Sequence, residues 1–266
     1  MPVETTGLLD GRVAIVSGVG PGLGRSIALT LARAGADVAL AARRPEPLTD
    51  IAAAVEGLGR RAAVIPTDVA DRVQCDRLAA ETVDRLGRVD VLVNNAFTEE
   101  DWHDPFDGFD PERWREPIAV NLFGSLQLTQ AVVPHLRAAG SGSVIMITTL
   151  SVKNPVPLLA GYAASKRALT TAAQVMAREL GPHHIRVNCV APGHIRGGSL
   201  DEYFAWIAER RGVDVDVVAE EIASMNALPH LATPDEIAGA VLFFASDLSR
   251  VVTGQALDVN CGRTLG

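Results

Sequence analysis

Short apolar runs rich in β-branched residues alternate along the chain with longer segments of helical periodicity. The runs predict seven strands, at residues 13–17, 38–41, 63–66, 89–94, 143–149, 185–190 and 256–259. The helical pattern is clearest at residues 24–34, 72–86, 111–137, 163–180 and 234–245. Strands that alternate with helices in this way favour a parallel sheet with helices on both faces.

Several of these runs are apolar on both faces instead of alternating. The stretches VDVLVN and SVIMIT, which begin at Val89 and Ser143, are of the kind that parallel strands show when helices cover both faces. No internal repeat or Gly/Ser-rich linker divides the chain. We therefore predict one domain over residues 1–266 with an α/β fold of the Rossmann type, a doubly wound parallel sheet of about seven strands.

Two segments, 97–110 and 194–226, lack a clear period and are predicted to be irregular. Each follows a predicted strand at its carboxyl end, which is the edge where open α/β sheets bind their ligands. We therefore interpret both segments as loops that shape a substrate site.

The composition excludes several classes of protein. With 48% hydrophobic and 21% charged residues, the chain of 266 residues can bury a sizeable core. A net charge of −8 argues against nucleic-acid and anionic-membrane partners. Neither a run of about 18 apolar residues nor a basic, apolar leader is visible. We therefore expect no membrane partner and a cytoplasmic location.

Cysteines and histidines give no sign of a disulfide framework or a metal site. Cys75, Cys189 and Cys261 are far apart and are predicted to be free thiols in a reducing compartment. No metal-ligand spacing joins the histidines beyond one adjacent pair, so we expect no metal. These histidines include His103, His183, His184, His194 and His230.

The first predicted strand runs directly into a glycine-rich turn. Residues 17–24 read SGVGPGLG, and a helical pattern begins at the end of this turn. Glycines let the backbone approach a pyrophosphate, and the new helix presents free N–H groups and its positive dipole end to the anion. The turn therefore predicts nucleotide binding, although tight turns without a ligand also use glycine.

A tyrosine and a lysine lie four residues apart in the helix-forming stretch GYAASKRAL, so Tyr162 and Lys166 share one helix face. The chain holds two lysines and two tyrosines in all, which makes this spacing uncommon by chance. A general acid or base works best with a pKa near neutrality. A neighbouring ammonium can lower the pKa of a phenol from about 10 by about three units, or roughly 4 kcal/mol. We predict that Tyr162 is an acid–base catalyst; the alternative is a packed tyrosine beside an exposed lysine.

These features resemble the ordered motifs of the short-chain dehydrogenase/reductase family. Gly18-x3-Gly22-x-Gly24 is similar to the TGxxxGxG turn of that family, with Ser17 in place of its Thr. The resemblance implies a Rossmann fold, a nicotinamide cofactor, and hydride transfer between that cofactor and a secondary alcohol or ketone. Further matches extend it over nearly the whole chain, at Asp68-Val69, Asn94-Asn95-Ala96, Asn121, Tyr162-x3-Lys166, Pro192-Gly193 and Gly254-Gln255.

The resemblance also implies catalytic roles. Lys166 is expected to lower the pKa of Tyr162 and to hold the nicotinamide ribose. Thr149 stands thirteen residues before Tyr162, where the family has a serine that polarises the substrate oxygen, and Ser151 is the alternative donor. Asn121 matches the family asparagine that anchors a water-linked proton relay to the lysine. The alternative for Asn121 is a helix-interior residue bonded to local backbone.

The resemblance places a further set of residues on the cofactor, mostly after the predicted strands. Phe97 stands where the family usually has Gly, and a glycine can take a positive φ at far lower cost than Phe. Gly197 stands where a Thr is usual. The expected cofactor residues are Ser17, Gly18, Gly20, Gly22, Leu23, Gly24, Arg43, Asp68, Val69, Asn95, Ala96, Tyr162, Lys166, Pro192, Gly193 and Ile195.

The end of the second predicted strand bears on the choice of cofactor. Residues 41–44 read AARR and hold no carboxylate for the adenosine ribose. Arg43 can pair with a 2′-phosphate, so we expect NADP, with NAD as the alternative. Pro21 stands where NADP enzymes often carry a second basic residue, and the two arginines could also be a solvated turn.

The expected substrate is an apolar or alicyclic ketone or secondary alcohol. This expectation rests on residues that are also compatible with ordinary packing: Phe97, Val152, Leu158, Leu159, Tyr203 and Trp206. Two other functions stay open, a non-catalytic nucleotide sensor and lyase or epimerase chemistry on the same fold. The helical segments 111–137 and 163–180 are where family members build dimers and tetramers, so we expect a homotetramer.

Overall fold

Seven strands form one parallel sheet in the computed structural model, which describes residues 7–99, 106–108 and 110–265. The strand order is β3-β2-β1-β4-β5-β6-β7, and every pairing is parallel. The predicted fold class is confirmed, and the predicted strands differ from the observed ones only at their ends. The strands are β1 (Val13–Ser17), β2 (Asp37–Ala41), β3 (Ala62–Val64), β4 (Val91–Asn94), β5 (Gly142–Ile147), β6 (Ile185–Pro192) and β7 (Ala256–Val259).

Helices cover both faces of this sheet. After β3 the chain returns to the centre of the sheet, where β4 pairs with β1. The helices α1, α2 and α9 pack on one face of the sheet, and α3, α5 and α6 pack on the other. None of the helices in the described ranges combines the length and hydropathy that a membrane span needs. The helices are α1 (Leu23–Arg33), α2 (Glu46–Gly57), α3 (Arg72–Leu86), α4 (Arg115–Pro117), α5 (Ser125–Ala138), α6 (Ala160–Leu180), α7 (Ser199–Arg211), α8 (Val215–Ser224) and α9 (Pro234–Ala245).

Strand β1 explains why the strands are apolar on both faces. Val13 and Ile15 enter the cluster that packs on α3, α5 and α6, whereas Ala14 and Val16 enter the cluster on α1, α2 and α9. All five residues of the strand are buried. Since burial of one Val or Ile side chain stabilises a fold by about 1.5–3 kcal/mol, both faces contribute to holding β1 at the centre of the sheet.

The helix predicted over 111–137 is interrupted. A 3₁₀ turn at Pro111–Trp114 and the single turn α4 lead into a π-helical turn at Ile118–Gly124, and α5 follows. Pro117 removes one helical hydrogen bond at this point. The π turn, a feature often found at functional positions, contains Asn121.

The prediction of an irregular segment over 194–226 is wrong, because α7 and α8 lie within it. Apolar and polar residues are poorly separated around α7, so its helical period is hard to detect in the sequence. Local cap signals are present: Gly212 ends α7 at a φ of +65°, and the Asp214 carboxylate accepts from the Asp216 N–H at the start of α8. The two helices pack mainly on each other, in a cluster formed by Phe204, Ala208, Val218, Ala219 and Leu231.

The other predicted loop, 97–110, is described only in part. Residues 100–105 and 109 lie outside the described residues, and Phe106–Gly108 forms a 3₁₀ turn. His103 falls in the part that is not described. Within the described ranges, no group of three or more His, Cys, Asp or Glu side chains is placed to hold a metal ion.

Candidate functional site

The turn between β1 and α1 requires glycine at two positions. Gly18 has a φ of +68°, and a Cβ there would lie 2.4 Å from the Ala96 Cα. A Cβ on Gly24 would lie 2.5 Å from the Gly18 carbonyl oxygen. Gly20 and Gly22 instead face open space, and the first turn of α1 holds no acidic residue and no side-chain cap. The helix therefore offers its N–H groups and positive dipole end to an anion.

Ser17 and Asn95 join this turn to the end of β4. The Ser17 hydroxyl donates to the Val93 carbonyl at 3.3 Å and accepts from the Asn95 N–H at 3.2 Å. The Asn95 Nδ2 donates in turn to the carbonyls of Ser17 and Gly18, at 3.2 and 2.8 Å. Ser17 is fully buried. Ser17 therefore supports the turn from the interior of the protein.

Tyr162 and Lys166 lie on one face of α6, with Tyr162 in the first turn. The Lys166 Nζ donates to the Ile147 carbonyl at 2.8 Å, and the side chain is 1% exposed. Burial lowers the pKa of Lys166 to about 7, because the interior disfavours an ammonium, and the opposing influence of Cys189 is smaller.

The same burial acts on Tyr162 in the opposite direction. It raises the pKa of Tyr162 to about 12, a hydrogen bond from Thr149 partly opposes the rise, and the charge of Glu99 adds to it. The groups of the protein therefore favour the neutral phenol, which is the form that gives a proton to an alkoxide. The expected lowering of this pKa by Lys166 is not present among the protein's own groups, because desolvation of the buried phenol is the largest influence.

Of the two candidate hydroxyls, Thr149 is the one that lies against Tyr162. Its own Oγ1 lies 3.4 Å from the Ser151 Oγ and accepts from the Ser151 N–H at 3.3 Å. The 3₁₀ turn at Leu150–Val152 therefore keeps the two hydroxyls side by side, and both residues line the same cleft. Of these two hydroxyls, Thr149 is the one in hydrogen-bond contact with Tyr162.

Asn121 connects the loop after β4 to α6, the helix that carries Tyr162. Its Nδ2 donates to the Thr98 carbonyl at 2.8 Å and to the Ser165 Oγ at 3.0 Å, while its Oδ1 accepts from the Thr98 N–H at 2.9 Å. The Ser165 hydroxyl then donates to the Tyr162 carbonyl at 2.7 Å. Asn121 is fully buried, and these contacts are long-range rather than local. Ser165 is a residue that the sequence analysis missed; its only signal is its place three residues after Tyr162.

A cleft of about 660 Å³ opens at the carboxyl edge of the sheet. The catalytic candidates Thr149, Tyr162 and Lys166 line it together with the glycine-rich turn. The expected cofactor residues that line it are Gly18, Gly20, Gly22, Leu23, Gly24, Asn95, Tyr162, Lys166, Pro192, Gly193 and Ile195. The others are not among the lining residues: Ser17 and Ala96 lie beneath the turn, and Arg43, Asp68 and Val69 follow β2 and β3 farther along the same edge.

The rest of the cleft is largely apolar. Phe97, which is 52% exposed, meets the Tyr162 ring edge to face with a centroid distance of 6.3 Å. Tyr203 and Trp206 on α7 stack at 6.1 Å with an interplanar angle of 18°. Leu158 and Leu159 also line the cleft, whereas the prediction for Val152 is wrong, because the 3₁₀ turn brings Leu150 and Ser151 there instead. The sequence analysis missed further lining residues: Glu99, Leu150, Val156, His194 and Leu200.

Arg43 is exposed after β2, and its guanidinium has no hydrogen bond or ion pair with any residue in the described part of the chain. The turn that carries it, at residues 42–45, holds no acidic residue. A cation without a protein partner at this point is available to a phosphate.

The comparisons with known proteins agree with this geometry. A family model described as enoyl-(acyl carrier protein) reductase matches residues 18–264. A short-chain dehydrogenase/reductase of Aspergillus oryzae, astE, is 35% identical over 97% of this chain and 96% of its own length. The chain belongs to the short-chain dehydrogenase/reductase family. The protein is therefore an oxidoreductase of the alcohol–carbonyl class.

Solved structures of this family superpose over almost the full chain. Carveol dehydrogenase from Mycobacterium avium in complex with NAD is 32% identical, with a TM-score of 0.91 and coverage of 97% of this chain and 99% of that one. L-sorbose reductase from Gluconobacter frateurii, complexed with NADPH and L-sorbose, is 27% identical, with a TM-score of 0.90 and coverage of 97% and 98%. One of these relatives is bound to NAD and the other to NADPH.

Phe97 occupies a usual family glycine position without backbone strain. Among the described residues other than glycine, a positive φ occurs at Leu158, His184 and Cys261. The expected difficulty at Phe97 is therefore absent. In this member of the short-chain dehydrogenase/reductase family the unusual backbone of the cleft is at Leu158, with a φ of +71°. Such a conformation costs about 1–3 kcal/mol and is often found at functional sites.

A second cavity of about 380 Å³ lies at the opposite edge of the sheet, where β5 and β6 begin. Arg12 lies 3.6 Å from carboxylate oxygens of Asp90 and Asp247. Arg186 donates to the Ser246 carbonyl at 3.2 Å, just beyond the end of α9, where cations stabilise a helix. Both arginines therefore have partners within the protein, and the cleft at the carboxyl edge remains the candidate site.

The buried Lys166 is expected to make the stability of the enzyme depend on pH. Its pKa is about 7 in the folded protein and 10.5 ordinarily, so between these values the unfolded chain binds more protons. The free energy of unfolding should therefore rise with pH across this window, relative to a variant without the group. Lys166→Met should be more stable than the wild type, by a margin that grows as the pH falls from about 10 to about 7.

Urea unfolding of both proteins across that pH range checks this expectation. Other titrating groups are common to the two proteins and largely cancel in the difference between their free energies of unfolding. A difference that stays constant with pH would show that Lys166 keeps an ordinary pKa when the protein folds.

Proposed function

We propose that the protein is an NAD(P)-dependent dehydrogenase/reductase that transfers hydride between the nicotinamide and the carbon of a secondary alcohol or ketone. The observation that carries the proposal is that Tyr162, Thr149 and Lys166 line one cleft together with the glycine-rich turn. A cleft with this combination joins a proton-transfer group to a dinucleotide-binding turn.

The residues present fit a dinucleotide. Gly20 and Gly22 leave open space beside the N-terminus of α1, where a pyrophosphate would be held, and Gly193 and Ile195 would meet the nicotinamide end. Lys166 would hold the nicotinamide ribose, and Asp68 and Val69 would meet the adenine. When bound, the nicotinamide supplies the hydride donor or acceptor.

Two groups of the chain would act on the substrate oxygen, and two others would support Tyr162. The neutral Tyr162 donates its proton to the oxygen in reduction and takes it back in oxidation. Thr149, beside it, donates a hydrogen bond that polarises the same oxygen. Lys166 in its protonated form stabilises the Tyr162 phenolate. The pKa of Lys166, about 7, lets its amine exchange protons near neutral pH. Asn121, through Ser165, holds the backbone of Tyr162 in place.

The substrate we propose is an apolar or alicyclic ketone or the matching secondary alcohol. The two similar structures are named for different substrates, carveol and L-sorbose, and so do not indicate one substrate class. The proposal therefore rests on the lining of the cleft. Aromatic and aliphatic side chains form most of its lining, with the polar groups concentrated near Tyr162.

The experiment that tests the function is a single-turnover absorbance measurement at 340 nm. The enzyme is mixed with NADPH, or with NADH in parallel, and a panel of cyclic and acyclic ketones. Loss of the reduced nicotinamide signal in step with alcohol formation supports the proposal. Tight cofactor binding with no consumption by any ketone would indicate a nucleotide sensor, and product formation without net cofactor consumption would indicate lyase or epimerase chemistry.

We further propose a homotetramer with closed symmetry. Phe123 in the π turn and Val175 on α6 are large apolar side chains that are 54% and 50% exposed. Exposed apolar side chains on neighbouring long helices suit an interface with a second copy. Light scattering at micromolar concentration should give four times the chain mass of 28.1 kDa, and a monomer would contradict the proposal.

A further inference from the structure

Phe97 presents a partly uncovered aromatic ring in the cleft, next to Tyr162. Its side chain lines the cleft and is 52% exposed, although its ring meets the Tyr162 ring at a centroid distance of 6.3 Å. That contact is edge to face, with 62° between the ring planes, and Phe97 makes no other ring or cation contact in the described part of the chain. A large apolar ring that stays half exposed in a ligand cleft points to a ligand that covers it.

The rings that α7 contributes to the cleft are better covered by the protein itself. Trp206 stacks on Tyr203 at 6.1 Å, and the Arg210 guanidinium lies 4.5 Å from the centroid of the Trp206 ring. Tyr203 also meets the Phe204 ring at 6.3 Å. Among these aromatic side chains, Phe97 is therefore the one with most of its surface left for a ligand.

Backbone contacts on both sides hold Phe97 in place. The Ala96 N–H donates to the Ser17 Oγ at 3.4 Å. On the other side, the Thr98 N–H donates to the Asn121 side chain at 2.9 Å, and the Thr98 carbonyl accepts from it at 2.8 Å. A wall that is fixed in this way is preorganised, so little conformational freedom is lost when a ligand covers it.

The contact with Tyr162 determines which part of a substrate Phe97 can meet. A substrate oxygen that exchanges a proton with Tyr162 lies about 2.6–3.2 Å from its hydroxyl oxygen. The group bonded to the reacting carbon is then the part of the substrate next to the Phe97 ring. Two aromatic rings pack in offset or edge-to-face arrangements that stabilise a complex beyond the area they bury, whereas a puckered saturated ring lacks this contribution.

We propose that Phe97 packs on an aromatic ring attached to the reacting carbon of the substrate. The enzyme thereby prefers aryl ketones and benzylic alcohols to saturated ketones and alcohols of similar size. This inference rests on the proposed function, because Tyr162 sets the position of the reacting carbon. It narrows the proposed class of apolar substrates to those with a flat ring beside the carbonyl group.

Two pairs of ketones of similar size test the contact: acetophenone with cyclohexyl methyl ketone, and 1-tetralone with trans-1-decalone. Their dissociation constants are measured by calorimetry with saturating NADP⁺ or NAD⁺, whichever the wild type binds more tightly, so that no ketone is reduced. The preference is the dissociation constant of the saturated ketone divided by that of the aromatic one. For at least one pair, this preference should be about twofold to tenfold larger in the wild type than in Phe97→Leu.

Two further variants show whether the aromatic ring at this position is responsible. Phe97→Tyr keeps a ring of the same shape and should retain the preference of the wild type. Phe123→Leu is the matched control, because Phe123 is 54% exposed and is not among the residues that line the cleft. We expect this variant to leave the preference unchanged.

The outcomes separate this contact from the proposed function. A preference that is the same in Phe97→Leu as in the wild type overturns the contact, whether or not the ketones are reduced in the 340 nm assay. If that unchanged preference came with weaker cofactor binding, the ring would meet the nicotinamide instead. A preference lost in Phe97→Leu and kept in Phe97→Tyr supports the contact, even if no ketone is reduced and the proposed function fails. Failure of all four ketones to bind up to their solubility limits contradicts both.

Discussion

Replacement of Tyr162 by phenylalanine is expected to lower kcat/KM by about a hundredfold to ten-thousandfold, the range that general acid–base catalysis supplies. The variant keeps the ring that Phe97 contacts and loses only the hydroxyl beside Thr149. Binding of the reduced cofactor should change little, because the glycine-rich turn and Lys166 are untouched. The measurement is kcat/KM with any ketone that the wild type reduces, together with the cofactor dissociation constant by fluorescence titration.

The chain offers a matched control for this variant in its other tyrosine. Tyr203→Phe also removes one hydroxyl from the lining of the cleft and keeps the ring that stacks on Trp206. We expect its kcat/KM to stay within about threefold of the wild type. If Tyr162→Phe retained activity within tenfold of the wild type, Tyr162 would not be the acid–base group, and the proton would have to come from elsewhere in the cleft.

The second large effect concerns the cofactor. Arg43 offers a 2′-phosphate a charge-assisted hydrogen bond, and such bonds contribute roughly 1.5–3 kcal/mol. The wild type should therefore bind NADPH about tenfold to a hundredfold more tightly than NADH. The double variant Ala42→Asp, Arg43→Ala should reverse this order, because the carboxylate accepts from the ribose hydroxyls and also repels the phosphate.

Fluorescence titration of each protein with NADPH and NADH gives the four dissociation constants. Arg44→Ala is the matched control, since Arg44 is exposed in the same turn, and we expect it to leave the ratio within about threefold. Equal affinity of the wild type for the two cofactors would show that Arg43 is only a solvated residue of the turn. If the ratio of NADH to NADPH dissociation constants fell in Arg44→Ala instead, Arg44 and not Arg43 would be the residue that contacts the 2′-phosphate.

Local signals account for the parts of the fold that the sequence predicts well. Strands β1, β2 and β5 are buried on both faces, so most of their positions are apolar, and their runs differ clearly from the amphipathic helices. The need for glycine at positions 18 and 24 is also predictable from the sequence motif, because neighbouring backbone atoms leave no room for a Cβ at Gly18 or Gly24. The spacing of Tyr162 and Lys166 depends only on the period of one helix.

Contacts between distant segments explain what the sequence could not show. Asn121 bonds to Thr98 and Ser165, which lie 23 and 44 residues away, and no local pattern marks such pairs. The pKa of Tyr162 depends mainly on the amount of protein packed around the phenol, and the four-residue spacing to a lysine does not predict that influence. The exchange of Val152 for Leu150 in the cleft lining follows from one 3₁₀ turn.

The small cluster shared by α7 and α8 gives this segment a stability of its own. Phe204 and Val218 belong to it, and neither belongs to the clusters that hold the helices to the sheet. Opening of the segment therefore exposes only a few apolar side chains, at a fraction of the free energy of global unfolding. Backbone amides of α7 and α8 should exchange with deuterated solvent well before those of β1 and β5.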